Sequence, residues 1–155
     1  MQAAFATIED VASWLELAQE VEPLFGPMPA FQATLLRKIG EGSAFCVRSD
    51  ASSGQVRVMG RMLTGGAPPH GWIRWLAVRS SDRGQGVGRC LVRRAIEHFS
   101  LYVTVSVHTF PEDNIEGRPA RLLYQRMGFQ PGPLIRVDDQ FRQCYTIRKT
   151  NESQV

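Results

Sequence analysis

Val78-Arg79-Ser80-Ser81-Asp82-Arg83-Gly84-Gln85-Gly86-Val87-Gly88-Arg89 is the stretch on which the reading of this chain turns. Just before it, the run WIRWLAV at 72 to 78 is apolar, aromatic and β-branched, and too short for an ordinary helix, so it predicts a buried strand ending at Val78. After it, Val87, Leu91, Ala95 and Phe99 recur at every fourth position while Arg89, Arg93, Glu97 and His98 are polar, which predicts an amphipathic helix starting at the glycines. Glycines between a buried strand and a helix start form an anion-binding architecture. They let the backbone turn tightly and approach a ligand, and the unpaired amides and dipole of the first helical turn attract a phosphate. Two familiar glycine patterns fail here: position 89 is Arg where a dinucleotide fingerprint needs its third glycine, and no Gly-Lys-Ser or Gly-Lys-Thr ending follows. A different phosphate ligand is required. On the glycines alone, a tight turn with no ligand stays open as a reading.

Downstream, residues 102 to 107 alternate and are β-branched, so strand, helix and strand predict a parallel crossover pair. Residues 120 to 127 predict a helix stopped by Gly128, and residues 134 to 137 and 141 to 147 predict a hairpin around Asp138, Asp139 and Gln140. Upstream, Thr7 precedes Val11, Trp14, Leu15, Ala18 and Val21 at helical spacing, with Glu9 and Asp10 in the first turn and Pro23 as the expected stop. A second helix is expected over residues 31 to 39, closing at Gly40. Residues 44 to 48 and 55 to 63 predict an antiparallel hairpin around the turn-rich segment 50 to 54, with residues 65 to 70 as a loop. The sum is an α/β domain with a mixed sheet and helices on both faces, spanning residues 1 to 150, with residues 151 to 155 as a frayed tail.

Composition narrows the function classes. With 155 residues, 43% hydrophobic and 21% charged, the chain has the size and make-up of one globular domain. Its apolar stretches are all shorter than the ~20 residues needed to cross a bilayer, so no membrane partner is expected. The acid-rich, base-free first 25 residues have the wrong sign for a targeting peptide, which sets the expectation of a cytoplasmic protein. Cys46, Cys90 and Cys144 are odd in number and widely spaced, so free, mostly buried thiols are expected, with no disulfide framework and no metal site. The net charge of +3 hides an asymmetry: residues 1 to 36 hold five acids and no base, whereas residues 57 to 94 hold eight arginines and one acid, Asp82. Such a field suits an anionic partner, phosphate first. A merely solvated arginine-rich face is the competing explanation.

Arg83-x-x-Gly86-x-Gly88 after Leu76-Ala77-Val78 resembles the acetyl-coenzyme A motif of the GNAT superfamily of N-acetyltransferases. About 40 residues on, Ala120-Arg-Leu-Leu-Tyr124-Gln-Arg-Met-Gly128-Phe129 is similar to that family's second signature. The resemblance is strongest from residue 71 to 130, and it implies a GNAT-like fold in which the parallel strand pair splays apart. Leu76, Ala77 and Val78 would then form the edge along which the pantetheine arm lies, with the Leu76 amide aimed at the thioester carbonyl. Backbone amides of Arg83, Gly84, Gln85, Gly86, Val87, Gly88 and Arg89 would bind the pyrophosphate. Tyr124 would donate a proton to the leaving thiolate, its alternative being a core aromatic with a satisfied hydroxyl.

The chain departs from the family's pattern in two places. Gly117 stands where an Asn often precedes the Tyr by seven residues, and Asn114 lies three positions too early. The strand at 72 to 78 holds no carboxylate to serve as general base, which leaves His108, at the end of the following strand, as a candidate with an unperturbed pKa of about 6.5. Glu41, Glu112 and a water chain stay open beside it. Cys90, in a first helical turn, is set aside as packing for want of a paired His and Asp. Trp72 and Trp75 are expected in the core rather than in an acceptor pocket.

The function implied is acyl-coenzyme A-dependent N-acyl transfer, from acetyl-coenzyme A to an unidentified primary amine, by direct attack in a ternary complex. An acyl-coenzyme A-binding sensor or scaffold without turnover is the alternative. A nucleic-acid partner is permitted by the charge but supported by no reading motif. Family members often form dimers, so a homodimer is expected by resemblance alone. The acidic N-terminal region suggests cationic acceptors.

Overall fold

The computed structural model describes residues 1–50, 54 and 56–149, so the expected tail, and the strand start at Gln55 with most of the turn before it, lie outside the described residues. Among the described residues the regular elements are β1 (Ala3–Phe5), α1 (Val11–Phe25), α2 (Phe31–Glu41), β2 (Ala44–Arg48), β3 (Val58–Ala67), β4 (His70–Val78), α3 (Val87–His98), β5 (Thr104–Thr109), α4 (Arg118–Arg126), β6 (Gln130–Val137) and β7 (Gln140–Arg148). The sheet is mixed, in the order β1-β2-β3-β4-β5-β7-β6. The chain groups into two compact units, Met1–Thr64 with Trp75–Arg94, and Gly65–Arg74 with Ala95–Val155; β3, β4 and α3 have residues in both.

In the first unit β2 runs antiparallel to β1 and β3, with Cys46 opposite Arg61 and Val47 opposite Gly60. Strand alternation sends successive side chains to opposite faces. Cys46, Leu63 and Trp75 meet Trp14 of α1 and Leu35 of α2, and Trp14 stacks on Trp75 with ring centroids 5.8 Å apart. Full burial of a side chain such as Leu35 contributes ~1.5–3 kcal/mol. Gly60 faces the other way, and a Cβ there would lie 2.4 Å from Val87 Cγ1 and 3.1 Å from Leu91 Cδ1. The missing side chain is what lets the first turns of α3 sit on β3, so in this unit helices cover both faces.

Arg61 of this unit breaks the apolar pattern. It is 0% exposed, and among the described residues none of its three guanidinium nitrogens has a hydrogen-bond partner. Burial, reinforced by Arg79, pulls its pKa down to about 10, which still leaves a cation at neutral pH. An unpaired buried charge costs more than an apolar side chain of similar volume. Arg61→Met is therefore expected to stabilise the fold, by about 1–4 kcal/mol, read as a raised Tm in thermal unfolding. A lowered Tm would mean that an acceptor satisfies the guanidinium.

In the second unit the parallel ladder of β4 and β5 runs from His70↔Thr104 to Ile73↔Val107, while the strands themselves extend to Val78 and Thr109. The strands outrun their ladder, which is the pairing signature of the expected splay. β7 runs antiparallel to β5, with Val107 opposite Tyr145 and His108 opposite Cys144. One face carries Ile73, Val105, Val107 and Tyr145, all buried. The other carries Trp72, Ser106, His108 and Cys144, and the hydroxyls of Ser106 and Thr146 meet on it at 2.7 Å.

Several expected boundaries move. α1 passes Pro23 and stops at Gly26 (φ 86), because the Gly26 amide bonds Glu22 O at 2.8 Å and holds the last turn despite the amide that proline lacks. α2 passes Gly40 and closes in a Schellman motif, Gly42 N to Ile39 O and Ser43 N to Lys38 O. The loop expected at 65 to 70 is mostly strand: β3 runs to Ala67, β4 starts at His70, and the turn is Pro68-Pro69 alone. β1 has only three residues, too short to leave a period in the sequence. The β6–β7 turn lies where expected, at Asp138 (φ 49) and Asp139 (φ 63), the doubly positive geometry that matches strand twist. No helix among the described residues is long and apolar enough to cross a membrane.

Candidate functional site

The glycine segment belongs to the first unit and is anchored before it opens. Arg79 N donates to Met59 O at 3.0 Å, and Ser80–Asp82 form one 3-10 turn. Asp82 is fully buried, and its Oδ2 accepts from Arg57 Nη1 at 2.6 Å. Ser80 N donates to Glu20 Oε1 at 3.2 Å, and the hydrogen bonding from Ser80 is the chief reason that carboxyl is held below its usual range. Past this anchor the chain turns through Gly84 (φ 78) and Gly86 (φ 87), dihedrals that L side chains rarely adopt. No heavy atom lies within 4 Å of where a side chain at either position would begin. Cys90 N donates to Gly86 O at 3.0 Å, the first helical bond of α3, so the amides of Val87, Gly88 and Arg89 have no intrahelical acceptor. Val87 is buried and pins the turn, while Arg83, Gly84, Gln85, Gly86 and Arg89 are exposed and Gly88 is half-buried. Leu76 and Val78 are half-buried and Ala77 is buried against Leu17 and Val21. This is an open row of amides at a helix N-terminus, fitted to a phosphate.

Tyr124 and His108 belong to the second unit. Asn114 Oδ1 accepts from Gly117 N at 3.0 Å, and Arg121 Nη1 donates to Pro111 O at 2.8 Å and Asn114 O at 2.7 Å, tying the 111–114 segment to the start of α4. Asn114 is thereby a loop residue. A Cβ at Gly117 would lie 2.3 Å from Phe110 Cβ and 2.6 Å from its Cγ, which explains why no Asn stands there. Tyr124 is buried on α4, its ring 5.7 Å from that of Phe129 and 6.3 Å from that of Tyr145. Burial pushes its phenol well above the ordinary value, so it holds its proton at neutral pH. No hydrogen bond engages its hydroxyl among the described residues, unlike a core tyrosine with a satisfied hydroxyl. Phe129 N donates to Tyr124 O at 2.9 Å, so Gly128-Phe129 close and pack the helix end.

His108 projects from β5 on the face opposite Val107 and Tyr145. Its ring meets Trp72 edge-on at 4.7 Å. Partial burial, then Arg74 and Arg142, hold its pKa below 6.5, so the imidazole is neutral at pH 7 with a lone pair to offer. Since Tyr145 packs on the Tyr124 side, a proton donor and a proton acceptor sit on opposite faces of one strand pair.

Other expectations sort themselves by contact. Trp75 is core, against Trp14, Phe25 and Phe31, but Trp72 is not: it is half-buried between His108 and Arg74, the latter 5.0 Å from its ring centroid. Cys46 is buried, whereas Cys90 and Cys144 are only half-buried, because each lies at the margin of its element's apolar face. Glu41 pairs with Arg37 on the exposed side of α2. Among the described residues no group of three or more His, Cys, Asp and Glu could hold a metal ion. The sequence reading missed Gly60, the Arg57–Asp82 anchor and the arginines beside His108. Arg74 offered a signal: one charge at an alternate position of an apolar strand marks a face that is not core.

A family model described as Acetyltransferase (GNAT) domain matches residues 41–131. Among solved structures, a chain of the NatC complex bound to Gag peptide and CoA superposes with a TM-score of 0.77 at 20% identity, over 97% of this chain and 100% of that one. Ard1 from Thermoplasma volcanium gives 0.76 at 16% identity, over 97% and 98%. A GNAT-family acetyltransferase from Bacillus cereus ATCC 10987 gives 0.74 at 14%, again over 97% and 98%. At these identities the likeness is one of fold. No curated protein sequence matches the chain.

Proposed function

The chain belongs to the GNAT acetyltransferase family, and from that premise we propose that residues 1 to 150 act as one domain that transfers an acetyl group from acetyl-coenzyme A to a primary amine by direct attack. The observation that carries this reading is the open glycine turn at the start of α3, where the amides of Val87, Gly88 and Arg89 have no intrahelical acceptor beside Gly86. Such a donor set suits an anion such as a pyrophosphate.

In this reading the backbone from Arg83 to Arg89 binds the pyrophosphate, and the Leu76–Val78 edge holds the pantetheine arm. The acceptor nitrogen adds to the acetyl carbon, moving the carbonyl electron pair onto oxygen, and the return of that pair then breaks the C–S bond with its electrons leaving on sulfur. The Leu76 amide stabilises the oxyanion that develops between those events. His108 takes the proton the nitrogen must lose and returns it to solvent. Tyr124, whose raised pKa makes it a reluctant acid, acts mainly as a hydrogen-bond donor to the departing sulfur. The departing thiolate takes a proton from solvent, so the products are an N-acetyl amine and free coenzyme thiol, and the reaction is to run in the cytoplasm.

The reading is tested by thiol release from acetyl-coenzyme A against a mixed amine panel: turnover with any amine supports it, and binding without turnover favours a sensor. His108 has its own test. Only the neutral imidazole accepts a proton, so the rate should rise with pH through an acid limb whose midpoint lies below 6.5. His108→Ala should abolish that limb and slow turnover by about a hundredfold. An unchanged limb and rate would remove His108 from the mechanism.

A further inference from the structure

The face of the second unit that carries His108 is unusual in its charge. Trp72 and Arg74 project from β4, His108 and Ser106 from β5, and Cys144 and Arg142 from β7. Arg74 is exposed and lies 5.0 Å from the Trp72 ring centroid; Arg142 is half-buried and lies 5.3 Å from that of Phe110. Neither guanidinium has a carboxylate within ion-pair distance among the described residues; Arg142 donates only to Gln140 Oε1, at 2.7 Å. Both are close enough to His108 to act on its charge. No acid faces His108 from its own strand or from β4 or β7.

Two cations held over aromatic rings, unpaired, on either side of a neutral base make a site for an anion rather than for a polycation. Two of the five N-terminal acids are engaged within the fold: Asp10 pairs with Arg48 at 2.5 Å, and Glu20 accepts from Ser80. We propose that this face is the acceptor subsite and that it takes a primary amine carrying its own carboxylate, as an amino acid does, with Arg74 and Arg142 holding the carboxylate and His108 receiving the proton of the amine. This rests on the acyltransferase reading and narrows it: polyamines and lysine-rich peptides are poor acceptors.

The test compares the twenty common L-amino acids with spermidine and with phenethylamine, which is phenylalanine without its carboxylate, in thiol release from acetyl-coenzyme A. Binding of the amino acid that responds best, or of phenylalanine where none does, to the protein saturated with coenzyme A is measured alongside. At least one amino acid should surpass both amines in kcat/KM. Arg74→Met and Arg142→Met should each raise its KM by about 10- to 100-fold, and raise the KM for phenethylamine far less. Spermidine surpassing every amino acid would overturn the subsite, as would KM and binding that both ignore the arginine changes. Acetyl-coenzyme A titration of the same samples separates the two levels: lost coenzyme binding condemns the acyltransferase reading, whereas intact binding with turnover of spermidine alone condemns only the carboxylate site.

Discussion

Gly86→Asp is expected to abolish binding of acetyl-coenzyme A while the protein stays folded. The position has φ 87 and nothing within 4 Å of a built Cβ, so an aspartate fits sterically, and Asp tolerates the left-handed region better than most residues. What it brings is a negative charge and two acceptor oxygens in the space where the proposed pyrophosphate would lie. Two like charges about 4 Å apart near a protein surface repel by roughly 4 kcal/mol, which is about a thousandfold in affinity. Gly86→Ala separates the causes. It carries the same backbone strain, ~1–2 kcal/mol, without the charge, and should weaken binding far less. Calorimetric titration of both variants, with circular dichroism to confirm folding, reads the result. Wild-type affinity in Gly86→Asp would remove the glycine turn from the coenzyme site.

Tyr124→Phe is the second large effect, and it falls on turnover rather than affinity. The ring is packed against Phe129 and Tyr145, and phenylalanine preserves those contacts. The change removes only a hydroxyl that no described residue engages. Its raised pKa keeps the proton in place across the working range, so the lost contribution is a donor to the departing sulfur. Positioned donors and acids of this kind contribute about 10²–10⁴ in rate, and the lower figure suits a weak acid. Stopped or steady-state thiol release should show kcat down by about a hundredfold with the coenzyme Kd unchanged. An unchanged kcat would return Tyr124 to the core.

The strand–glycine–helix segment was legible because it is local: a seven-residue run with six apolar members, a run of glycines and a four-residue repeat carry their meaning within about 30 positions. The parallel pair of β4 and β5 followed from it, since a helix between two strands leaves few other topologies. Boundaries set by one capping contact were not legible. Gly40 and Gly42 stand two residues apart in sequence, and only the bonds from Gly42 and Ser43 decide which of them ends α2. Tertiary demands were hidden too. Gly60 and Gly117 look like ordinary glycines until Val87 and Phe110 are found in the space their side chains would fill. Asp82, the one acid among eight arginines between residues 57 and 94, proved to be the buried partner of Arg57 that fixes the loop before it opens. Charge counting located the acids at the N-terminus but missed that Asp10 and Glu20 are engaged within the fold. The arginines proposed to hold the acceptor, Arg74 and Arg142, are 68 positions apart and flank β5 only through the strand order β4-β5-β7.

The central claim is that the amides from Arg83 to Arg89 hold a coenzyme pyrophosphate, and calorimetric titration of the unmodified protein with acetyl-coenzyme A tests it most directly. The account predicts saturable binding with one coenzyme per chain, competed by coenzyme A and by adenosine 3′,5′-diphosphate only weakly, because the latter lacks the pyrophosphate bridge and the pantetheine arm. No heat of binding, with coenzyme A equally silent, would contradict it.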